Sequence, residues 1–333
     1  MEDFAKVRKL DAHVHINVLD AAFLEQARAD NFELMVINVD YPDFPKLADQ
    51  RAAALVQVKA DPARVHWATT FSMQGFGQRD WAANVSAALA ADVAAGAKAV
   101  KIWKNVGMAE RRADGNLISL DDPAIAPVAQ RVQTLNLTLI GHQGEPHNCW
   151  LPLEQMTTDN DREYFRAHPQ YHMYLHPEMP GYDDQIGARD RFVAAHPGLR
   201  FVGAHLGSLE YDVERIAAFL DRFPNASVDM AARMSQVQYQ SVRDLEKVRG
   251  FFIKYQDRLL YGTDLTLNPG EDLLEFKRSA HDVWTRDWRY LATAESQRVE
   301  IIAADVRGLA LPRTVIDKVY YRNAALAFAL GGK

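Results

Sequence analysis

One cysteine, Cys149, stands in a chain of 333 residues, so no intrachain disulfide can form and a four-cysteine zinc site is excluded. Long apolar runs are missing as well: no stretch approaches about 18 uninterrupted apolar residues, the length a membrane-spanning helix needs. Nor is there an excess of basic residues. Lys and Arg number 38 against 44 Asp and Glu, a formal charge of −6, and such a surface has no general attraction for a phosphate backbone. Nucleic acid and membrane are therefore not expected partners, and a small molecule is. The first ten residues, Met1 to Leu10, carry charges where an export signal would place its apolar segment. That favours a cytoplasmic location, although an exported protein already stripped of its leader would read the same way. No glycine-rich phosphate loop follows the first predicted strand, which weakens the case for a doubly wound open sheet.

What is present is a globular composition, 48% hydrophobic and 25% charged, with enough apolar side chain for a large core. Short β-branched runs recur at Leu10 to Ile16, Leu34 to Val39, Val65 to Phe71, Ala97 to Trp103, Leu137 to His142, Leu199 to His205, Ala226 to Met230 and Leu259 to Asp264. Segments of helical spacing separate them, such as Trp81 to Ala95 and Leu209 to Phe219. Parallel strands need crossover helices, so eight strand–helix repeats over this length predict an α/β fold, a (β/α)8 barrel forming one domain over residues 1–333. A long insertion, about residues 147–199, interrupts the repeat after the fifth strand. It is rich in aromatic and histidine residues and would begin at the end of the barrel where active sites sit, so it is expected to act as a lid or pocket wall. Its exposed aromatics could also serve a homo-oligomeric contact. The helical pattern Thr314 to Leu330 is expected on the outside of the barrel.

The chemistry-bearing residues gather at predicted strand ends. Asp11-Ala12-His13-Val14-His15 puts two histidines on one face of the first strand, because residues two apart in a strand point the same way. The fifth strand closes on His142, the sixth on His205 and the eighth on Asp264. Imidazole and carboxylate at the same end of several strands can grip one cation. Asp11 is expected to orient the histidine pair or to cap a turn. His66, His147, His168, His172, His176 and His196 lie elsewhere; His66 opens a strand and His196 sits at a helix-to-strand turn, where ordinary structural roles suffice.

These motifs resemble the amidohydrolase superfamily, specifically its amidohydrolase-related (amidohydrolase 2) branch, which includes enzymes similar to aminocarboxymuconate-semialdehyde decarboxylase. The resemblance runs from Asp11-Ala12-His13-Val14-His15 to the closing Leu311-Pro312-Arg313 and Val319-Tyr320-Tyr321-Arg322-Asn323-Ala324. It implies a divalent metal on His13, His15, His142 and Asp264, with His205 either holding a second metal or contacting water and substrate. In some members a carboxylated lysine on the fourth strand bridges two metals, and Lys101 stands at that place. An unmodified ammonium has no lone pair for a metal, so Lys101 would otherwise put a positive charge in the pocket. One or two ions per chain follow, with zinc the first choice for three imidazoles and a carboxylate, and manganese or nickel as alternatives.

Further residues around these positions complete the expected site. Glu145, three residues past His142, is placed to touch the metal or a substrate hydroxyl, and Arg233, after the seventh strand, to hold a carboxylate. Trp103, Lys104 and Trp150 are expected beside the substrate. The first reading is a metal-dependent hydrolase of an amide, ester or lactone bond, using metal-activated water with Asp264 as base and His205 steadying the oxyanion. The alternative is a non-oxidative decarboxylase, a lyase, on a small carboxylated substrate at the same site. A ligand-binding barrel without catalysis is the third.

Overall fold

The computed structural model describes residues 3–331. Nine strands form one parallel sheet in the order β8-β7-β6-β5-β4-β3-β2-β1-β9. They are β1 (Lys9–Ile16), β2 (Phe32–Ile37), β3 (Val65–Thr70), β4 (Ala99–Ile102), β5 (Thr138–Gly141), β6 (Arg200–Gly203), β7 (Ala226–Asp229), β8 (Leu259–Leu260) and β9 (Leu265–Leu267). All eight predicted runs are strands. The eighth differs from expectation in being split, because the chain turns between Tyr261 and Asp264, where Asp264 has φ of +69°. Across that turn the backbone still joins β1: the Ala12 N–H donates to Tyr261 O at 2.9 Å and the Asp264 N–H to His13 O at 2.8 Å. β8 and β9 are thus two halves of one stave, and the sheet closes as a (β/α)8 barrel.

The barrel interior is filled by Leu10, Met35, Ile37, Ala68, Ala99, Ile140, Val202 and Leu260, while a larger apolar layer lies between the strands and the surrounding helices. Burial on both faces explains why the strands read as continuous apolar runs. On the outer layer, Phe32 stacks on Trp284 of the helix Leu273–Ala292 with ring centroids 4.2 Å apart. Such a contact adds about 0.5–1.5 kcal/mol beyond area burial. Among the described residues no helix is long and apolar enough to cross a membrane.

Two expectations change. The C-terminal helical segment, Arg313–Asp317 and Asn323–Ala327 joined by a π-turn at Lys318–Arg322, divides: Val315, Ile316, Val319 and Tyr320 pack in the outer layer, and its end does not. Ala324 and Phe328 pack into the interior cluster, Asn323 Nδ2 donates to Leu259 O at 2.7 Å, and Thr138 Oγ1 donates to Ala327 O. Since Thr138 and Leu259 begin their strands, the stretch from Asn323 to Phe328 is the floor of the barrel. The insertion, for its part, ends earlier than expected, because Tyr182–Ala195 is the ordinary crossover helix before β6. The added part consists of short 3-10 turns and the helix Asp159–Ala167. Beyond the repeat also stands an antiparallel hairpin of β10 (Ser296–Val299) and β11 (Ala304–Arg307).

Candidate metal centre

The strand that carries the histidine pair is not regular. Asp11 pairs with Leu34 of β2 but Val14 pairs with Val36, so β1 holds one extra residue between them, a β-bulge. Below it Leu10 and Ala12 face the barrel interior. Above it His13 and His15 face the mouth, while Val14 and Ile16 join the outer core. The bulge therefore puts Ala12 and His13, neighbours in sequence, on the same side of the sheet.

Three imidazoles have one ring nitrogen occupied. His15 Nδ1 lies 2.7 Å from Ile37 O and His205 Nδ1 lies 2.8 Å from Ala231 O; a carbonyl only accepts, so both carry the proton on Nδ1. His13 Nδ1 donates to Asp229 Oδ2 at 2.9 Å. Burial lowers the basicity of His13 and His205, and with Nδ1–H assigned by these bonds each leaves a lone pair on Nε2. His13 Nε2 lies 3.4 Å and His15 Nε2 3.1 Å from Asp264 Oδ1, and His13, His205 and Asp264 offer ligand atoms within 4.8 Å of one another. Acceptors facing acceptors repel. A second proton on His15 would relieve one contact, whereas a divalent cation relieves them all.

His142 strengthens this fit. Its ring centroid is 4.1 Å from that of His205, and its Nε2 is buried without a hydrogen-bond partner. Burial, then the charges of His205 and Lys101, hold His142 well below its ordinary pKa, so it too is a neutral ligand in waiting. Lys101, 1% exposed, places Nζ 3.3 Å from His13 Nε2, and burial pushes its pKa down to about 8. Burial opposes ionisation of Asp264, but its contacts with His15, His205 and His13 outweigh it and keep the carboxyl well below its usual range. His13, His15, Lys101, His142, His205 and Asp264 all line one cavity of about 170 Å³.

Two of these residues sit in left-handed backbone, His205 at φ +58° and Asp264 at φ +69°. Such conformations cost non-glycine residues energy and persist where surrounding bonds hold them. For His205 the restraint is its own N–H, which donates to Asp229 Oδ1 at 2.9 Å. Asp229 is the residue that sequence reasoning missed. It anchors His13 and the His205 backbone together, one of the two roles expected of Asp11, which takes the other. Asp11 instead accepts from Thr263 N at 3.0 Å, Thr263 Oγ1 at 2.6 Å and Trp284 Nε1 at 2.9 Å, fixing the turn that presents Asp264. Asp229 had a readable signal: it closes β7 with a polar residue at the level where the other strands place theirs.

The remaining expected residues divide. Trp103 and Lys104 line both the ion cavity and an adjoining chamber of about 550 Å³. Glu145 lines that chamber, ion-paired to Lys104, and is not among the residues around the ion cavity. Tyr41 lines both spaces, and the insertion contributes Tyr164, Tyr171 and His176 to the chamber. Trp150 does not reach it: the indole packs on Tyr182 with Nε1 3.4 Å from Pro180 O, bracing the insertion against the crossover helix before β6. Arg233 is buried with Nε unpartnered and lines neither space, although its charge helps depress His142 and His205. His66 bonds Glu33 and His196 bonds Phe192 O, structural roles as read; His281, which the sequence gave no reason to single out, pairs with Asp30.

Comparison with known proteins agrees with this architecture. The 2,6-dihydroxybenzoate decarboxylase from Rhizobium superposes with a TM-score of 0.56 at 15% identity, covering 98% of this chain and 100% of the other. An uncharacterised barrel protein from Bordetella bronchiseptica gives 0.56 at 14% identity, over 98% and 100%. The 5-carboxyvanillate decarboxylase from Novosphingobium aromaticivorans, complexed with manganese and 4-hydroxy-3-methoxy-5-nitrobenzoic acid, gives 0.51 at 15% identity, over 94% and 81%. At such identities the likeness speaks for the fold. Among curated proteins none matches the sequence. A family model described as amidohydrolase (Amidohydro_2) matches residues 10–330, nearly the whole chain, and the protein belongs to that family of enzymes.

Proposed function

We propose that the chain is a metal-dependent hydrolase acting on an amide, ester or lactone bond of a small polar or carboxylated substrate. The observation that carries this is the convergence of His13, His15 and His205 lone pairs on Asp264, with Lys101 inside the same ring. His13, His15, His142 and Asp264 would hold one divalent ion, zinc by preference, and His205 with Lys101 a second. As an ammonium, Lys101 occupies the His13 Nε2 lone pair and competes with an ion. As a neutral amine it can take up carbon dioxide, forming an N–C bond and releasing one proton, and the resulting carbamate is an anionic ligand. A bound ion lowers the pKa of water from about 16 to about 7 and polarises a carbonyl.

The protein groups then divide the work. Asp264 stays ionised at neutral pH and accepts the proton of the attacking water, later handing it to the leaving group. With its Nδ1–H bonded to Ala231 O, His205 offers a lone pair on Nε2, which suits a metal ion or the proton of a water and not an oxyanion. Asp229 keeps His13 in the ligating tautomer, and the insertion holds the substrate body against Trp103 and Tyr41. The test is metal content per chain after purification with bicarbonate and without chelator, followed by turnover in 18O-labelled water. Two ions per chain, falling to one in Lys101→Met, with label entering the product acid, are expected. One ion and release of carbon dioxide without label would overturn the proposal.

That second outcome is the alternative reading, non-oxidative decarboxylation of a carboxylated ring. It is favoured by the aromatic lining of the chamber beside the centre, and it is the activity named for two of the barrels that share this fold.

A further inference from the structure

Asp264 and Thr266 line not only the ion cavity but also a separate groove of about 460 Å³ on the other flank of the centre. Its walls are the turns after β7 and β8, the helix Met234–Arg243, the helix Leu273–Ala292 and the β10–β11 hairpin. The hairpin is no part of the eightfold repeat, and it supplies Arg298, Val299 and Glu300 to this groove.

The hydrogen-bonding groups of the groove are unevenly used. Its carboxylates are engaged: Asp287 accepts from Tyr261 OH at 3.0 Å, Glu300 faces Arg298 Nε at 3.3 Å, and Asp264 faces His15. Its donors are not. Gln238, 2% exposed, has Nε2 buried without a partner, and the Arg286 side chain makes no ion pair or hydrogen bond among the described residues. A buried donor left open costs about 1–3 kcal/mol, so a ligand acceptor that draws the Gln238 amide into the groove recovers that cost.

We infer that this groove is the subsite for the leaving half of the substrate, and that this half carries an oxygen acceptor, a carboxylate above all. The inference rests on the hydrolytic reading, since departing carbon dioxide needs no space of this size. The substrate would lie across the centre, with its apolar or aromatic acyl half in the chamber of Trp103 and Tyr41. Its scissile bond would lie beside Asp264 and its acidic half against Gln238, Arg286 and Arg298. For an N-acyl amino acid, water adds to the acyl carbon and the C–N bond breaks. The acid leaves as carboxylate, and the amine departs with the proton.

The test compares N-benzoylglycine with its neutral near-isostere N-isobutylbenzamide, titrated calorimetrically into the metal-loaded enzyme. The acid should bind at least about tenfold more tightly, as a charge-assisted pair allows. The double variant Arg286→Ala/Arg298→Ala, both at exposed positions that tolerate substitution, should bring the two affinities to within about twofold, and Gln238→Leu should narrow the gap by itself. Equal affinities in the parent enzyme, no binding of either compound, or a preference that survives the double substitution would each overturn the assignment. Product analysis of the same mixtures separates the two claims. Benzoate and glycine support hydrolysis, whereas acid-selective binding without cleavage supports the groove and counts against the hydrolytic reading.

Discussion

Replacing Asp229 with Asn exchanges one oxygen for an NH2 group and should disable the centre without touching a proposed ligand. The carboxylate has one oxygen on His13 Nδ1–H and the other on the backbone N–H groups of His205, 2.9 Å away, and Ala231, 3.1 Å away. An amide has one oxygen only. If that oxygen keeps the two backbone donors, its NH2 faces His13 Nδ1, which must then accept. The His13 proton moves to Nε2, and the lone pair aimed at Asp264 is gone. Loss of such an orienting partner lowers metal affinity about 10- to 100-fold, or about 1.4–2.8 kcal/mol. Stability should fall as well. The Asp229 carboxyl is held at about 2 against an ordinary 3.8, because the charge of His13, its hydrogen bond and the charges of His205 and Lys101 outweigh burial. That depression corresponds to about 2 kcal/mol of stability at neutral pH. Since the folded value lies below the unfolded one, the contribution is complete above about pH 4 and fades as pH falls towards 2. Competition with a chromophoric chelator reads the affinity, and nitrogen–proton correlation spectra of the histidine rings read the tautomer. An Asn variant that binds metal as tightly as the parent, with His13 still protonated at Nδ1, would refute the argument.

Asp264→Asn should keep the fold, since Asn tolerates the left-handed backbone at φ +69°, while turnover on a verified substrate drops at least about 100-fold; an unchanged melting curve with retained activity would remove Asp264 as the base. Lys101→Met should stabilise the metal-free protein by about 3 kcal/mol at pH 7, because a lysine whose pKa falls from 10.5 to about 8 on folding is buried charged below that pH. The gain should shrink as pH rises from 8 to 10.5, where the parent lysine is neutral in both states, and denaturant titrations across that range check it. Gly262→Ala would put a methyl group 3.1 Å from the Cβ of His13, so a loss of about 1–3 kcal/mol and weaker metal uptake are expected, measured by thermal unfolding and elemental analysis.

The barrel was legible because strands buried on both faces leave apolar runs, and the proposed donors because His13 and His15 interrupt the first run while the others sit at or just past the end of theirs. His142 follows β5 directly and His205 lies two residues past β6. What the sequence hid depends on partners distant in the chain. Asp11 and Asp229 are both carboxylates near a histidine or a strand end; only closure of the barrel, bringing residue 229 beside residue 13, decides which one orients the imidazole. The spacing of Ala324 and Phe328 marks an apolar helix face, but a face reads alike against the wall of a barrel and under its floor. Trp150 illustrates the opposite failure: an aromatic residue in an aromatic insertion suggests a substrate contact, and the side chain braces Tyr182 instead. The groove beside Asp264 joins residues from 160 to 301, a set no local pattern connects.

The extra residue in β1 makes that strand a two-position switch for what the barrel can do. Were the same eight residues to pair without the bulge, strict alternation would run from Leu10 onward. With the lower half held in place, the upper half would turn over, sending Val14 and Ile16 into the mouth and both histidines into the helical layer. An inserted residue elsewhere in a strand usually harms only packing. Here the reading frame of eight residues, more than their identity, separates a barrel able to take up a cation from one with an inert, greasy mouth. Designers grafting this donor set onto another barrel would have to transplant the bulge along with the histidines.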